Sequence, residues 1–402
     1  MEICKINGID VIINPVDELD ITSVVIFSEN GSITDEKGKA GTTFLSLRVG
    51  LKRSEKKTSK EIAFITEPYG STISPDTGKD FSTISFQTVS EGVSLYFEIF
   101  SELITEPAFT DEDFMIEKET LLASIRGRLE SPFSFGYEHF QLLTYKGTPY
   151  ENIPYGTLNT VVPITKTDIE NRYKEFFKTG KFTVSISGKI PDGIEKLIEN
   201  LPISCEGKVF VNFSAPIENT ESVNLCRKGS TQTFILRGYE APSVKNWEDY
   251  VAFKLLNTIV GEGFNSIMFK ELREKKGLAY STGSFFPSSL FTGRFVLYIG
   301  TSPDKEKTAL KGMDEIIGNL PSLITEENLT RAKNYIEGTY LLDHETRLRK
   351  AWYCGWWNVL KENPDFDRKY LEKLKAVPLS KLEELSEKLA QKPYHQVIVC
   401  DG

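Results

Sequence analysis

Arg273 and Tyr280 stand seven residues apart in the stretch ELREKKGLAYS, Glu271 to Ser281. A guanidinium offers a planar fork of donors and a phenol offers one rotatable hydroxyl, a pair able to converge on a peptide carbonyl or a carboxylate. The plainer reading is a helix C-terminus whose basic residues are favoured by the helix dipole. Spacing alone favours that reading, because such helix ends are common. The elements that must position the pair can be read around it. Tyr250, Val251, Phe253, Leu255, Leu256, Ile259 and Val260 recur at helical spacing. Gly261-Glu262-Gly263 breaks that helix, Ile267 to Glu274 reads as a second short helix closed by Gly277, and Gly293 to Ile299 reads as a strand.

The bulk properties narrow the function classes. The chain has 402 residues, of which 40% are apolar and 26% charged, enough for roughly two or more domains with sizeable cores. A net charge of −9 argues against a nucleic-acid binder or a polybasic membrane-surface protein. Five scattered cysteines (Cys4, Cys205, Cys226, Cys354, Cys400) form no CxxC, which points to reduced thiols in a cytoplasm rather than a disulfide framework or zinc ribbon. No apolar run approaches the roughly 20 residues of a bilayer span. The start MEICKINGIDVIINP reads as strand rather than signal peptide.

Along the chain, Ile3 to Ile13 reads as a hairpin and Ile21 to Phe27 as a β-branched strand. Residues 42 to 51, TTFLSLRVGL, read as helix, as does Ser59 to Thr66 with a Ser59 cap. Phe81 to Val89 alternates as a strand. Val93 to Ile104, Asp111 to Leu129 and Thr165 to Phe177 follow as helices, and Phe182 to Ser187 as a strand. Two prolines and no helical period between Pro202 and Lys228 mark a linker. The second half then repeats the order of the first. The expected organisation is α+β: a domain at 1–205, a linker at 206–228 and a domain at 229–402, two homologous α/β-sandwich-like halves, each a mainly antiparallel sheet covered by helices.

These residues carry a family resemblance. Leu255 to Tyr280, LLNTIVGEGFNSIMFKELREKKGLAY, resembles the glycine turn and arginine–tyrosine pair of the pitrilysin-like zinc peptidases, the inverzincins. The likeness is closest to the short bacterial members related to the mitochondrial processing peptidase. Gly41 to Ser54, Pro68-Tyr69-Gly70, Pro107-Ala108-Phe109, Glu117 to Leu122 and Tyr155-Gly156 follow the same framework, so the resemblance runs nearly end to end.

The departure decides the expected function. That family holds zinc with H-x-x-E-H on a helix, the glutamate acting as base, and a third ligand from a later helix. At the matching positions this chain has Thr43 and Leu47 for the histidines and Ser46 for the base. Glu117 fits an acidic position of the later helix, but Ser124 stands where the ligand glutamate belongs. The three histidines, His139, His344 and His395, lie far apart and cannot replace the set. One leucine and two hydroxyls neither hold Zn²⁺ nor activate a bound water. The family's substrate-receiving strand is altered too, reading Ile73-Ser74-Pro75-Asp76-Thr77, with a proline suited to protecting an idle edge.

The resemblance therefore implies the zinc-less member of a two-chain peptidase. No cofactor is expected in this chain. A homologous zinc-motif-bearing partner would supply metal and base as a heterodimer, while Arg273 anchors a peptide substrate and Tyr280 donates to the developing oxyanion, a role worth ~3 kcal/mol. The rival reading is a structural core or peptide-binding scaffold with no share in hydrolysis. Trp352 to Trp357 reads as core or inter-domain packing, and Lys52 to Lys60 as a solvated loop.

Overall fold

The first sheet is built where the sequence alternates most strongly. The computed structural model describes residues 1–203, 213–360 and 363–401. Its first six strands are β1 (Glu2–Ile6), β2 (Ile9–Pro15), β3 (Ile21–Ser28), β4 (Ser74–Thr77), β5 (Ser82–Val89) and β6 (Phe182–Gly188), arranged β1-β2-β6-β3-β5-β4. Only the β2–β6 pair is parallel. A second sheet holds β7 (Glu221–Cys226), β8 (Thr233–Ala241), β9 (Ser281–Phe285), β10 (Gly293–Thr301) and β11 (Tyr394–Cys400), in the order β7-β11-β8-β10-β9. It too has one parallel pair, β7 with β11. Matching β2, β6, β3, β5 and β4 with β7, β11, β8, β10 and β9 reproduces all four pairings of the second sheet and their senses, with β1 alone lacking a counterpart among the described residues. The duplication expected from element order is therefore present in the strand topology, and the architecture is the expected α+β one.

The division of the chain is not the expected one. One compact unit gathers Met1–Arg126, Asn152–Val211 and Asp343–Asp367, and the other gathers Gly127–Glu151, Asn212–Leu342 and Arg368–Gly402. The two units are thus not contiguous halves at 1–205 and 229–402. Part of the expected 206–228 linker lies outside the described residues, and its end, Glu221–Cys226, is strand β7 rather than linker. The physical cause of the exchange is shape. In β6, Phe182, Val184 and Ile186 enter the apolar core, while Thr183, Ser185 and Ser187 leave a shallow opposite face. The helix Arg347–Val359 fills that face. A Cβ on its Gly355 would sit 2.3 Å from Phe27 Cε2 and 3.1 Å from Ser185 Cβ, and its Asn358 donates to Thr183 Oγ1 at 3.0 Å. In the second unit Pro132–Thr144 plays the same part. There a Cβ on Gly136 would meet Leu236 Cδ1 at 2.6 Å and Val399 Cγ2 at 2.9 Å. The Trp352 to Trp357 cluster is core packing of the first unit, with Trp357 1% exposed and Trp352 against Phe27 and Phe81.

Gly355→Ala is accordingly expected to destabilise the protein by about 1–3 kcal/mol despite alanine's better helix propensity, because Phe27 has no room to retreat. Gly338→Ala, on the helix Glu326–Asp343 with nothing within 4 Å of the added carbon, is expected to be neutral or stabilising by up to about 1 kcal/mol. Urea unfolding midpoints of the two variants check the contrast.

Candidate functional site

Two apolar anchors fix the segment that carries Arg273 and Tyr280. Leu272 is fully buried and Leu278 is 6% exposed. Between them the chain is fastened at each turn: Leu278 N–H donates to Leu272 O (2.8 Å), Lys305 Nζ to Gly277 O (3.0 Å) and Thr301 Oγ1 to Leu278 O (2.6 Å). Gly277 takes a left-handed φ of +59°, as a closing glycine should. Tyr280 N–H then donates to Gly300 O (2.9 Å), which delivers the chain into β9. The expected short helix is a π-helix, Phe269–Lys275, a form that concentrates at functional sites.

With both leucines inward, Arg273 and Tyr280 are left outward. Tyr280 is 61% exposed. Among the described residues, neither its hydroxyl nor the Arg273 guanidinium has a hydrogen-bond or ion-pair partner. The neighbouring cations are engaged, Lys275 with Glu271 (2.6 Å) and Lys276 with Glu315. Arg273 lies over the Phe269 ring, 4.9 Å from its centroid, so the side chain is oriented while its donors stay available. The glycine turn before it is a built structure as well. Glu262 accepts from Asn257 Nδ2 (2.7 Å) and Thr258 Oγ1 (2.6 Å), and Ser284 Oγ of β9 donates to Asn257 Oδ1 (2.8 Å). A Cβ on Gly261 would lie 2.0 Å from Ser284 N, so only glycine lets helix and strand approach this closely.

The zinc-motif positions have the opposite surroundings. Thr43, Ser46 and Leu47 lie on α1 (Thr42–Gly50) and each is 0% exposed. Leu47 joins the core with Leu51, Phe97 and Tyr173. Ser46 Oγ donates to Thr43 O in its own helix, 2.8 Å. Thr43 belongs to a buried ionic cap: Asp35 accepts from Gly41 N (2.9 Å), Thr43 N (2.9 Å) and Thr43 Oγ1 (2.5 Å). Arg172 Nε donates to Thr43 Oγ1 (2.8 Å) and its fork also reaches Thr34. A carboxylate at a helix N-terminus satisfies the free amides there and complements the dipole. Burial pushes the Asp35 carboxyl above its ordinary value, partly opposed by Thr43 and Arg172, and burial lowers the Arg172 guanidinium.

The third ligand position is lost differently. Ser124 is exposed on the helix Asp111–Leu129. Glu117, on the same helix, is held by Arg48 Nε (3.0 Å) and Lys52 Nζ (3.2 Å). Asp113 binds Lys52 (3.1 Å) and Arg53 (3.1 Å). Burial raises the Asp113 carboxyl, but Thr110, Lys52 and Arg53 together outweigh it and hold the group below its usual value. Protein cations thus occupy the acidic residues that remain. No group of three or more His, Cys, Asp or Glu side chains that could hold a metal ion occurs among the described residues. The donor set does not fit zinc.

Arg172→Met is expected to cost about 3 kcal/mol at neutral pH, because it removes the nearby cation that offsets the buried Asp35 carboxylate and the donors to Thr43 and Thr34. The sign with pH follows from the raised Asp35. Losing this nearby cation lifts the folded-state value further, so the part of the deficit tied to Asp35 ionisation is absent below the ordinary carboxylate range and grows as pH rises through the folded value. Unfolding free energies of variant and parent across acid to neutral pH check that the gap widens upward.

Pro75 lies on β4, the edge strand of its sheet. The cap of Ser59–Thr66 is Thr58, not Ser59, in a reciprocal box with Glu61. Lys52 to Lys60 is not simply a solvated loop, since Lys52, Arg53, Lys56 and Lys57 all pair with carboxylates. Asp35, Arg172 and Phe269 escaped the sequence reading. An acidic residue a few positions before a helix start was the available signal for Asp35.

Known proteins share this sequence pattern and fold. Residues 13–155 match the family described as insulinase (peptidase family M16), and residues 163–336 match the family described as peptidase M16 inactive domain. A protein named as an uncharacterized zinc protease of Rickettsia felis is 25% identical over 350 residues, 87% of this chain and 85% of its own. The uncharacterized zinc protease YmxG of Bacillus subtilis is 20% identical over 395 residues, 98% and 96% of the two chains. The crystal structure of a peptidase M16 inactive domain from Pseudomonas fluorescens superposes with a TM-score of 0.89 at 18% identity, over 100% of this chain and 98% of that one.

Proposed function

Because the chain belongs to peptidase family M16 and lacks that family's zinc motif, we propose that it is the metal-free subunit of a two-chain zinc endopeptidase. The observation that carries this reading is the contrast between two sets of side chains. Thr43, Ser46 and Leu47 are sealed in the core, whereas Arg273 and Tyr280 are exposed on a firmly anchored segment with their donors unspent. A homologous chain bearing H-x-x-E-H supplies zinc and the base. Arg273 donates to a carbonyl of the bound peptide and sets its register. The Tyr280 hydroxyl donates to the scissile carbonyl oxygen as negative charge grows there, which stabilises the transition state more than the ground state. The scattered cysteines, with no CxxC among them, fit a cytoplasmic setting, and no described helix is long and apolar enough to cross a membrane.

The test is a double variant, Arg273→Ala with Tyr280→Phe, combined with an H-x-x-E-H homologue from the same cell. The expected result is a complex of unchanged mass and zinc content with hydrolysis reduced to near background. Full activity of that complex would support the scaffold reading instead.

A further inference from the structure

The last residues of β7 and β11 bring two thiols together. These strands run parallel, with Cys226 directly paired with Cys400. Neighbouring strands lie about 4.8 Å apart, inside the Cα separation of roughly 4.4–6.8 Å that disulfides span. In-register side chains of paired strands emerge on the same face. Cys226 is exposed and Cys400 is partly exposed, with its Sγ also near Leu225 O (3.6 Å). The remaining described cysteines differ. Cys4 is exposed but is paired with Val11, and Cys354 is buried. Among the described residues, the strand carrying Cys226 is the outermost of its sheet. Arg227 N–H donates to Cys400 O (2.9 Å) and Gly229 N–H to Asp401 Oδ1 (2.9 Å), so the backbone around the pair is already held in place.

We infer that Cys226 and Cys400 form a reversible dithiol–disulfide couple that staples strand β7 to β11. Oxidation by a small-molecule disulfide proceeds in two exchanges. The accessible Cys226 thiolate attacks one sulfur of the oxidant, forming a mixed disulfide and releasing one small thiolate. The Cys400 thiolate then attacks Cys226 Sγ, forming the protein disulfide and releasing the second small thiolate. The two protons lost by the cysteines end on the two released thiols. Burial, the neighbouring Cys226 and the Glu306 carboxylate hold the Cys400 thiol above its ordinary value, which suits it to the second step rather than the first.

The experiment uses the full chain and oxidised glutathione, followed by peptide mapping. The expected product has lost two hydrogens, with the Cys226 and Cys400 peptides linked within one molecule. Alkylation of Cys226 by iodoacetamide should slow by about tenfold or more and recover with dithiothreitol. Cys400→Ser should arrest the reaction as a stable glutathione adduct on Cys226. A glutathione adduct that persists on Cys226 in the parent chain, a link between two molecules, or undiminished alkylation would each overturn the assignment. Mapping the parent decides the matter even if a serine variant does not fold.

Discussion

Reinstating H-x-x-E-H through Thr43→His, Ser46→Glu and Leu47→His is expected to destabilise the first unit by about 3–5 kcal/mol or more, and not to create a zinc enzyme. Each of the three positions is 0% exposed. Leu47→His removes an aliphatic side chain from the core cluster that also holds Leu51, Phe97 and Tyr173. Ser46→Glu places a carboxylate where the native hydroxyl's hydrogen bond is to its own helix. Thr43→His removes the hydroxyl that joins Asp35 to Arg172. The third ligand would still be missing, because Ser124 stays a serine and Glu117 stays held by Arg48 and Lys52. Urea unfolding with chelator and with added zinc, beside metal analysis, checks this. A triple variant that binds one zinc and unfolds with the parent would show that the helix is a metal site in waiting.

Tyr280→Phe is expected to lower kcat of the assembled peptidase by about 10²–10³-fold with little change in KM, the signature of a lost oxyanion donor. The hydroxyl is exposed and unpartnered among the described residues, so its removal should change folding stability by no more than about 0.5 kcal/mol. That separation matters, since loss of rate without loss of fold cannot be assigned to unfolding. Arg273→Ala is expected to act mainly through KM, because a ground-state carbonyl contact is made before and during reaction alike. Steady-state kinetics of the two single variants in the mixed complex, beside their unfolding curves, separate these effects.

Much of the fold could be read because local signals were strong. Phe81 to Val89 alternates cleanly, and β5 pairs on both sides within the sheet. The apolar residues from Tyr250 to Val260 lie on a helix buried nearly all round. β7 was lost among linker residues because ESVNLC is short and exposed or half-buried along its length, with only Val223 and Leu225 alternating inward. The exchange of helices between units depended on Gly136 and Gly355 meeting residues distant in sequence, which no local period encodes. The site was legible in its types and spacing, Arg273 with Tyr280 and the altered zinc helix. What surrounds them was not. The Asp35–Thr43–Arg172 cap joins chain positions far apart, and the Phe269 ring beneath Arg273 acquires meaning only once the π-helix is seen.

The central claim is most directly tested by peptide hydrolysis and zinc content measured together, on this chain alone and on its mixture with an H-x-x-E-H homologue from the same cell. The account predicts that the chain alone is metal-free and inert, and that the mixture hydrolyses peptide with zinc held by the homologue. A chain that binds zinc and cleaves peptide by itself would contradict it.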